Sequence, residues 1–336
     1  MAPQDTKNHQ LIHEEYVDNM IKALELSYFP VTVFQTGVNG RSRSFSKQKH
    51  PESTIWKFSA ATVFTKNILN ILNQKIPLIR GRAQNMIYFG ITLRSKAVAK
   101  NWQHVVEDFT RTLNSVYQQT DSEFRVIVAC HDLPELSREY DSRVEFLQTD
   151  IPTPRTPFEM MQDKGYKLSM IGKRVREYGG GYTMIVDADD LVSCRIAEYV
   201  NKHPGCNGFV SKYGYIYNKG DTWVRKALQP DHVCGSCLIV NYSVDDLPAE
   251  LPASPADESE KKYIIRKSHP SIRPYLKKNG RPLDIIPFPT TIYVRGTGDN
   301  HSMLDGGRLG IKRRLEQVVH RKLPIKKIAD EFGLHL

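Results

Sequence analysis

Cysteine is scarce and badly placed for cross-linking. The five cysteines, Cys130, Cys194, Cys206, Cys234 and Cys237, are an odd number without framework spacing. That argues against a disulfide-stapled secreted scaffold and suits a reducing compartment. No stretch offers about 18 uncharged apolar residues, so a membrane-spanning helix is not expected. Met1 to Gln10 is polar and lacks the apolar centre of a secretory signal, and the expectation is a soluble, cytoplasmic protein.

What the chain does contain suits a folded enzyme. Apolar residues make up 40% and charged residues 25% of its 336 positions, enough for a sizeable core and unlike a disordered or fibrous chain. The formal net charge of +10 is unevenly placed: from Lys261 onward there are 17 Lys+Arg against 6 Asp+Glu. Such a field attracts polyanions, whether nucleotide diphosphates, nucleic acid or an anionic membrane surface.

Hydrophobic periodicity divides the sequence. Residues 1–84 carry two helical patterns, near 11–26 and 53–72, and read as a helical extension. From Met86 a short apolar run is followed by an amphipathic helix and another apolar run, the pattern of a βαβ unit. Strands are expected at 86–91, 124–130, 144–147 and 182–186. Trp102, Val105, Val106, Phe109, Leu113, Val116 and Tyr117 make one helical face behind an Asn101 cap. Leu168, Ile171, Val175 and Tyr178 stripe a second helix from about Lys164, which Gly179, Gly180 and Gly181 stop. Tyr213, Tyr215 and Tyr217 alternate as in a half-buried strand, and 233–240 is expected to pair beside them. Residues 244–262, acidic and proline-rich, read as a mobile loop. The expectation is an α/β domain over 85–305, with a mainly parallel sheet flanked by helices. A basic helical tail follows over 306–336, where Ile311, Leu315, Val318 and Val319 stripe a helix among Lys312, Arg313, Arg314 and Arg321. Such a helix docks on the domain or makes peripheral contact with an anionic membrane.

In open α/β sheets, ligands bind beyond the carboxyl ends of parallel strands. Polar residues stand at three of those ends: Thr92 and Arg94 after the first strand, His131 and Asp132 after the second, and the run Asp187, Ala188, Asp189, Asp190 after the fourth. Alternation along a strand sends Asp187 and Asp189 to one side and Asp190 to the other. Converging carboxylates repel unless a cation lies between them, and a hard divalent ion is the natural choice. The plainer reading is an Asp-rich turn capping a helix that begins near Leu191.

The segment YTMIVDADD resembles the strand and metal motif of GT-A glycosyltransferases, close to the broad family-2-like group, and the likeness runs over about 86–302. This resemblance implies a Rossmann-like nucleotide-diphospho-sugar transferase using Mn2+ or Mg2+, with Asp187 against the sugar-nucleotide or the metal and Asp189 on the ion. It also implies a later histidine on the metal, and His301 in GTGDNHS is the candidate; an imidazole ligand favours manganese over magnesium. Thr92, Leu93 and Arg94 would then meet the nucleotide, with Lys164 and Lys167 on the donor, a UDP-sugar in the first instance. The family commonly has two acidic residues after its second strand. Here Cys130, His131 and Asp132 stand there, which leaves Asp132 for that contact. An inverting member would take its general base from the 244–262 loop, first Asp257 and then Glu258; a retaining one needs neither.

The acceptor is expected to be a glycan or lipid-linked glycan, as in bacterial polysaccharide synthesis. Its candidate contacts are Trp223 in the polar stretch NKGDTWVRK, Ser236 in CGSCLIV, read as a strand lining the acceptor pocket, and His269 in KSHPSI. Cys234 and Cys237 lack the second ligand pair of a structural zinc site, and His232 alone does not supply it. Three rivals are weaker. A phosphatase of the haloacid dehalogenase type carries Asp-x-Asp near the start of its domain, whereas this motif lies well inside. A nucleotidyltransferase on a related fold shares the strand-end carboxylates. LPIKKIADEFGL resembles the first half of a helix-turn-helix, but no recognition helix follows before Leu336, so no nucleic-acid partner is expected.

Overall fold

Continuous apolar runs become buried parallel strands, and amphipathic runs become helices lying across them. In the computed structural model, residues 86–228, 234–296 and 322–334 are described, all within one unit, Phe64–Leu336. The strands are β1 (Ile87–Thr92), β2 (Phe124–Cys130), β3 (Val144–Gln148), β4 (Gly181–Asp187), β5 (Leu191–Val192), β6 (Gly208–Ser211), β7 (Tyr213–Asn218), β8 (Trp223–Leu228), β9 (Leu238–Tyr242), β10 (Asp284–Ile286), β11 (Thr291–Arg295) and β12 (Lys322–Pro324). The helices are α1 (Trp102–Tyr117), α2 (Pro157–Glu177), α3 (Ile196–Lys202) and α4 (His269–Lys278).

The chain is α/β, with a mixed seven-stranded sheet in the order β10-β6-β9-β4-β1-β2-β3, flanked by helices. β3, β2, β1 and β4 run parallel, and β9 is antiparallel to both β4 and β6. On one face Phe109, Leu113 and Val116 of α1 pack against Phe89, Ile91 and Val186. On the other, Ile171 and Val175 of α2 pack against Tyr88, Ile127 and Ala129. Burying each such side chain contributes about 1.5–3 kcal/mol. Gly90 sets how close α2 comes, since a Cβ there would lie 2.8 Å from Cγ2 of Ile171.

Several expectations need correction. α2 begins at Pro157, because Thr156 and Glu159 form a reciprocal capping box. No helix starts at Leu191; a two-residue strand does, and α3 follows from Ile196. Residues 238–242 pair with β4 and β6, not with the tyrosine strand, which belongs to a second sheet ordered β12-β8-β7-β11-β5. The 244–262 stretch is a strap rather than a free loop: Leu247 is fully buried, and the Pro248 ring lies 3.0 Å from where a Cβ on Gly172 of α2 would be. Residues 322–334 form β12 and two 3-10 turns, with Ile325, Ile328 and Phe332 buried against the second sheet. The expected helices of 1–84 and the amphipathic helix around Ile311 lie outside the described residues. Among the described residues no helix is long and apolar enough to cross a membrane.

Candidate functional site

β1 hands the chain through α1 to β2 on one side, whereas β3, through α2, hands it to β4 on the other side of β1. The strand order reverses between β1 and β4, and the crevice beyond their carboxyl ends is where such sheets bind ligands. Thr92 and Asp187 are register partners at that edge. Their side chains alternate with those of Ile91 and Val186, which belong to the α1 side, so both face α2.

α2 answers Asp187 with a cation. The half-exposed Lys164 donates from Nζ to Oδ1 of Asp187 at 2.6 Å. Asp187 first, and then Asp189 and Asp190, hold the Lys164 ammonium above its ordinary pKa, so it stays charged. Beyond Asp187 the chain turns: the Asp190 amide donates to the Asp187 carbonyl at 3.0 Å, and Oγ1 of Thr112 donates to the Ala188 carbonyl at 3.0 Å. Strict strand alternation ends there. Asp189 borders a small cleft with Asp108 and Arg111 of α1, Leu191, Tyr217 and Val294. The two carboxylates expected to face one spot are thus engaged differently, Asp187 on the lysine of α2 and Asp189 beside α1.

Asp190 turns inward and is fully buried. Its Oδ2 accepts from Oγ of Ser236 at 2.7 Å, and its Oδ1 accepts from the Val294 amide at 3.2 Å. Burial pushes its carboxyl well above the usual carboxylate range, with Cys234, Asp187 and Asp189 adding to the effect. Ser236 Oγ also accepts from the Asp187 amide at 2.9 Å. Ser236, expected to touch an acceptor from a strand, lies instead in the buried turn before β9, beneath the aspartates.

The loops after β1 and β2 are tied together. Asp132 Oδ2 accepts from Oγ of Ser95 at 3.1 Å and from the Lys96 amide at 2.7 Å, so this carboxylate braces the loop that begins at Leu93. Arg94 remains half-buried in that loop, whereas Leu93 is fully buried. Lys167 does not reach the crevice. Only 1% of its side chain is exposed, and its Nζ donates to the Leu93 carbonyl at 2.8 Å and to Oδ2 of Asp163 at 2.7 Å. His131 completes this buried group, with Nε2 3.1 Å from the Ile151 carbonyl and Nδ1 3.6 Å from Oδ1 of Asp163. Desolvation, and next the Lys167 charge, lower the His131 pKa.

Other expected contacts are also displaced. Asp257 accepts from the amides of Ser259 and Ala253, which depresses its pKa, and Glu258 pairs with Lys261. Trp223 lies in β8 of the second sheet, not in a loop, and Lys322 Nζ stands 4.0 Å over its ring, so the chain's own cation covers the face meant for a sugar. His269 begins α4 and packs over Gly235, one residue from Ser236. His301 and His232 lie outside the described residues, and among the described residues no group of three His, Cys, Asp or Glu side chains gathers as a metal site. The Asp190–Ser236 bridge was missed in the sequence, where the only signal was the third aspartate of the DADD run. A scan against protein-family models found no match to this chain, and a search of curated proteins found none either.

Proposed function

We propose that the chain is a metal-dependent glycosyltransferase of GT-A type, moving a sugar from a nucleoside diphosphate, a UDP-sugar first, to a hydroxyl of a glycan or lipid-linked glycan. The observation that carries this reading is Asp187 at the carboxyl end of β4, in register with Thr92 at the sheet's switch point and bound to Lys164. Thr92, Arg94 and the braced Asp132 line the side where a nucleoside would lie, and Lys164 offers a charge for its diphosphate. Asp187 and Asp189 fit a hard divalent cation in ligand type, and such an ion would displace the Lys164 ammonium from Asp187. Such an ion, Mn2+ or Mg2+, would offset charge on a departing diphosphate. Asp187 would hold it, with Asp189 and His301 as the further ligands that the resemblance implies. An acceptor hydroxyl would then bond to the anomeric carbon as the bond to the diphosphate oxygen breaks, its proton passing to solvent and the nucleoside diphosphate departing. Lys164 holds the diphosphate in place while the glycosidic bond breaks.

The test is a screen of UDP-, GDP- and dTDP-sugars for Mn2+-dependent hydrolysis and thermal stabilisation, with Asp189→Asn as control. A donor at a hundred times its Kd stabilises by about 2.7 kcal/mol, a readily measured rise in melting temperature. Absence of any response, or full turnover in Asp189→Asn, rejects the reading.

A further inference from the structure

We infer that Asp190 and Ser236 are positioning residues: a buried two-link bridge that fixes the backbone from which Asp187 and Asp189 project. The inference rests on the glycosyltransferase reading and adds to it residues that never meet substrate.

Three connections converge on Ser236, which is fully buried. Its Oγ donates to Asp190 at 2.7 Å and accepts from the Asp187 amide at 2.9 Å, while its carbonyl accepts from Oγ1 of Thr291. Asp190 carries the bridge onward to the Val294 amide on β11. The tip of β4, in the large sheet, is thereby pinned to the turn before β9 and to β11 of the second sheet. A single hydroxyl reaches the Asp187 amide directly, so the position of that peptide depends on Ser236 and not on strand pairing alone.

The chemistry of position 190 is specific. A carboxylate accepts on both oxygens, from a backbone amide on one side and a hydroxyl on the other. An amide of the same shape accepts on one oxygen only. Asn at this position can keep its oxygen on the Val294 amide but then turns an NH2 on Ser236, which reverses the link that holds the serine hydroxyl. Ser236→Ala deletes both links at once with the loss of one oxygen atom.

Thr291→Val is the matched structural control, because it removes a buried hydrogen bond to the same residue without touching Asp187. The experiment measures kcat and KM for Mn2+-dependent hydrolysis of the donor found in the screen, with melting temperatures, for wild type, Ser236→Ala, Asp190→Asn, Thr291→Val and Asp189→Asn. Misplacing reacting groups by about 1 Å costs on the order of a hundredfold. Ser236→Ala and Asp190→Asn are expected to lose kcat by roughly that factor with KM for the donor within about threefold. Thr291→Val is expected to keep kcat within about twofold at a comparable loss of melting temperature. Wild-type turnover in Ser236→Ala, or an equal loss of kcat in Thr291→Val, overturns the positioning role. If Ser236→Ala fails to fold, the same kcat criterion on Asp190→Asn decides. A wild type silent with every donor rejects the glycosyltransferase reading itself, and the inference with it. Loss of turnover in Asp189→Asn with none in Ser236→Ala rejects the inference alone.

Discussion

Lys164 on α2 reaches across to Asp187 on β4 and closes a 2.6 Å ion pair at the point where the sheet reverses its strand order. A divalent ion arriving at Asp187 competes with this ammonium. The pair is about half exposed on the lysine side and a third exposed on the aspartate side, so solvent screens it and its worth is at most about 1 kcal/mol. Lys164→Gln is therefore expected to tighten Mn2+ binding to the nucleotide-free protein by up to about fivefold, read by calorimetric titration. The same change weakens donor binding, because the diphosphate loses its charge partner. Unchanged Mn2+ affinity would mean that Asp187 is not a ligand.

Lys167, one helical turn further along α2, has a different part. Its ammonium is spent on Asp163 and the Leu93 carbonyl inside the protein. Lys167→Met leaves Asp163 buried without its cation, and breaking such a pair costs about 3–5 kcal/mol. The double variant Lys167→Met with Asp163→Asn should recover part of that loss, because no charge is then stranded. Urea unfolding of the two variants measures this. Equal stability of the single variant and wild type would show that Asp163 finds another partner.

Beside this pair, His131 makes stability depend on acidity. Asp163 on α2 carries the Lys167 charge on one oxygen and faces His131 with the other; Asp132 adjoins on the chain, and Cys130, raised to about 11 mainly by its burial, stays a neutral thiol. The folded-state pKa of His131 lies below its ordinary value of about 6.5. Between those two values the unfolded chain binds the proton and the folded protein does not. Stability is therefore held above about pH 6.5 and lost as pH falls through the window beneath it. His131→Gln keeps a donor for the Ile151 carbonyl and removes the titration. Its urea midpoint should fall less than that of wild type between about pH 7 and pH 5; parallel curves would place the acid sensitivity elsewhere.

The strands around the crevice could be read from the sequence because burial on both faces demands continuous apolar runs, as in β1 and β2. α1 was legible from its stripe and from the Asn101 cap, which accepts from the His104 amide as expected. The start of α2 is also written in the sequence, as Thr156 and Glu159 at capping-box spacing ahead of the apolar stripe. What could not be read were the long-range contacts. Lys167 looks like any helix lysine until Leu93, 74 positions away, supplies its carbonyl. Ser236 looks like a turn residue until Asp190, 46 positions away, takes its hydrogen. Trp223 looked exposed because it follows a polar stretch, yet β12 brings Lys322 over its ring from far along the chain. Local periodicity reports burial. It does not say which distant group satisfies a polar atom once it is buried.

The end of α2 tests how firmly β4 is aimed. Gly179 and Gly180 both have positive φ, at 95° and 83°, and their amides donate to the Arg176 and Val175 carbonyls at 2.9 Å, a Schellman closure. The chain then enters β4 at Gly181 and delivers Asp187 at its far end. A side chain at either glycine meets the left-handed penalty of roughly 1–2 kcal/mol. Their surroundings differ. A Cβ on Gly179 has nothing within 4 Å, whereas one on Gly180 would lie 2.5 Å from the Tyr242 carbonyl of β9. That carbonyl is backbone in a strand paired with β4, so it cannot move aside without disturbing the pairing. Gly179→Ala is expected to cost about 1 kcal/mol in urea unfolding, and Gly180→Ala distinctly more, because overpacking adds about 1–3 kcal/mol to the same penalty. Equal costs would show that β9 yields at Tyr242, and that the β4–β9 pairing does not hold the start of β4 as rigidly as its register suggests.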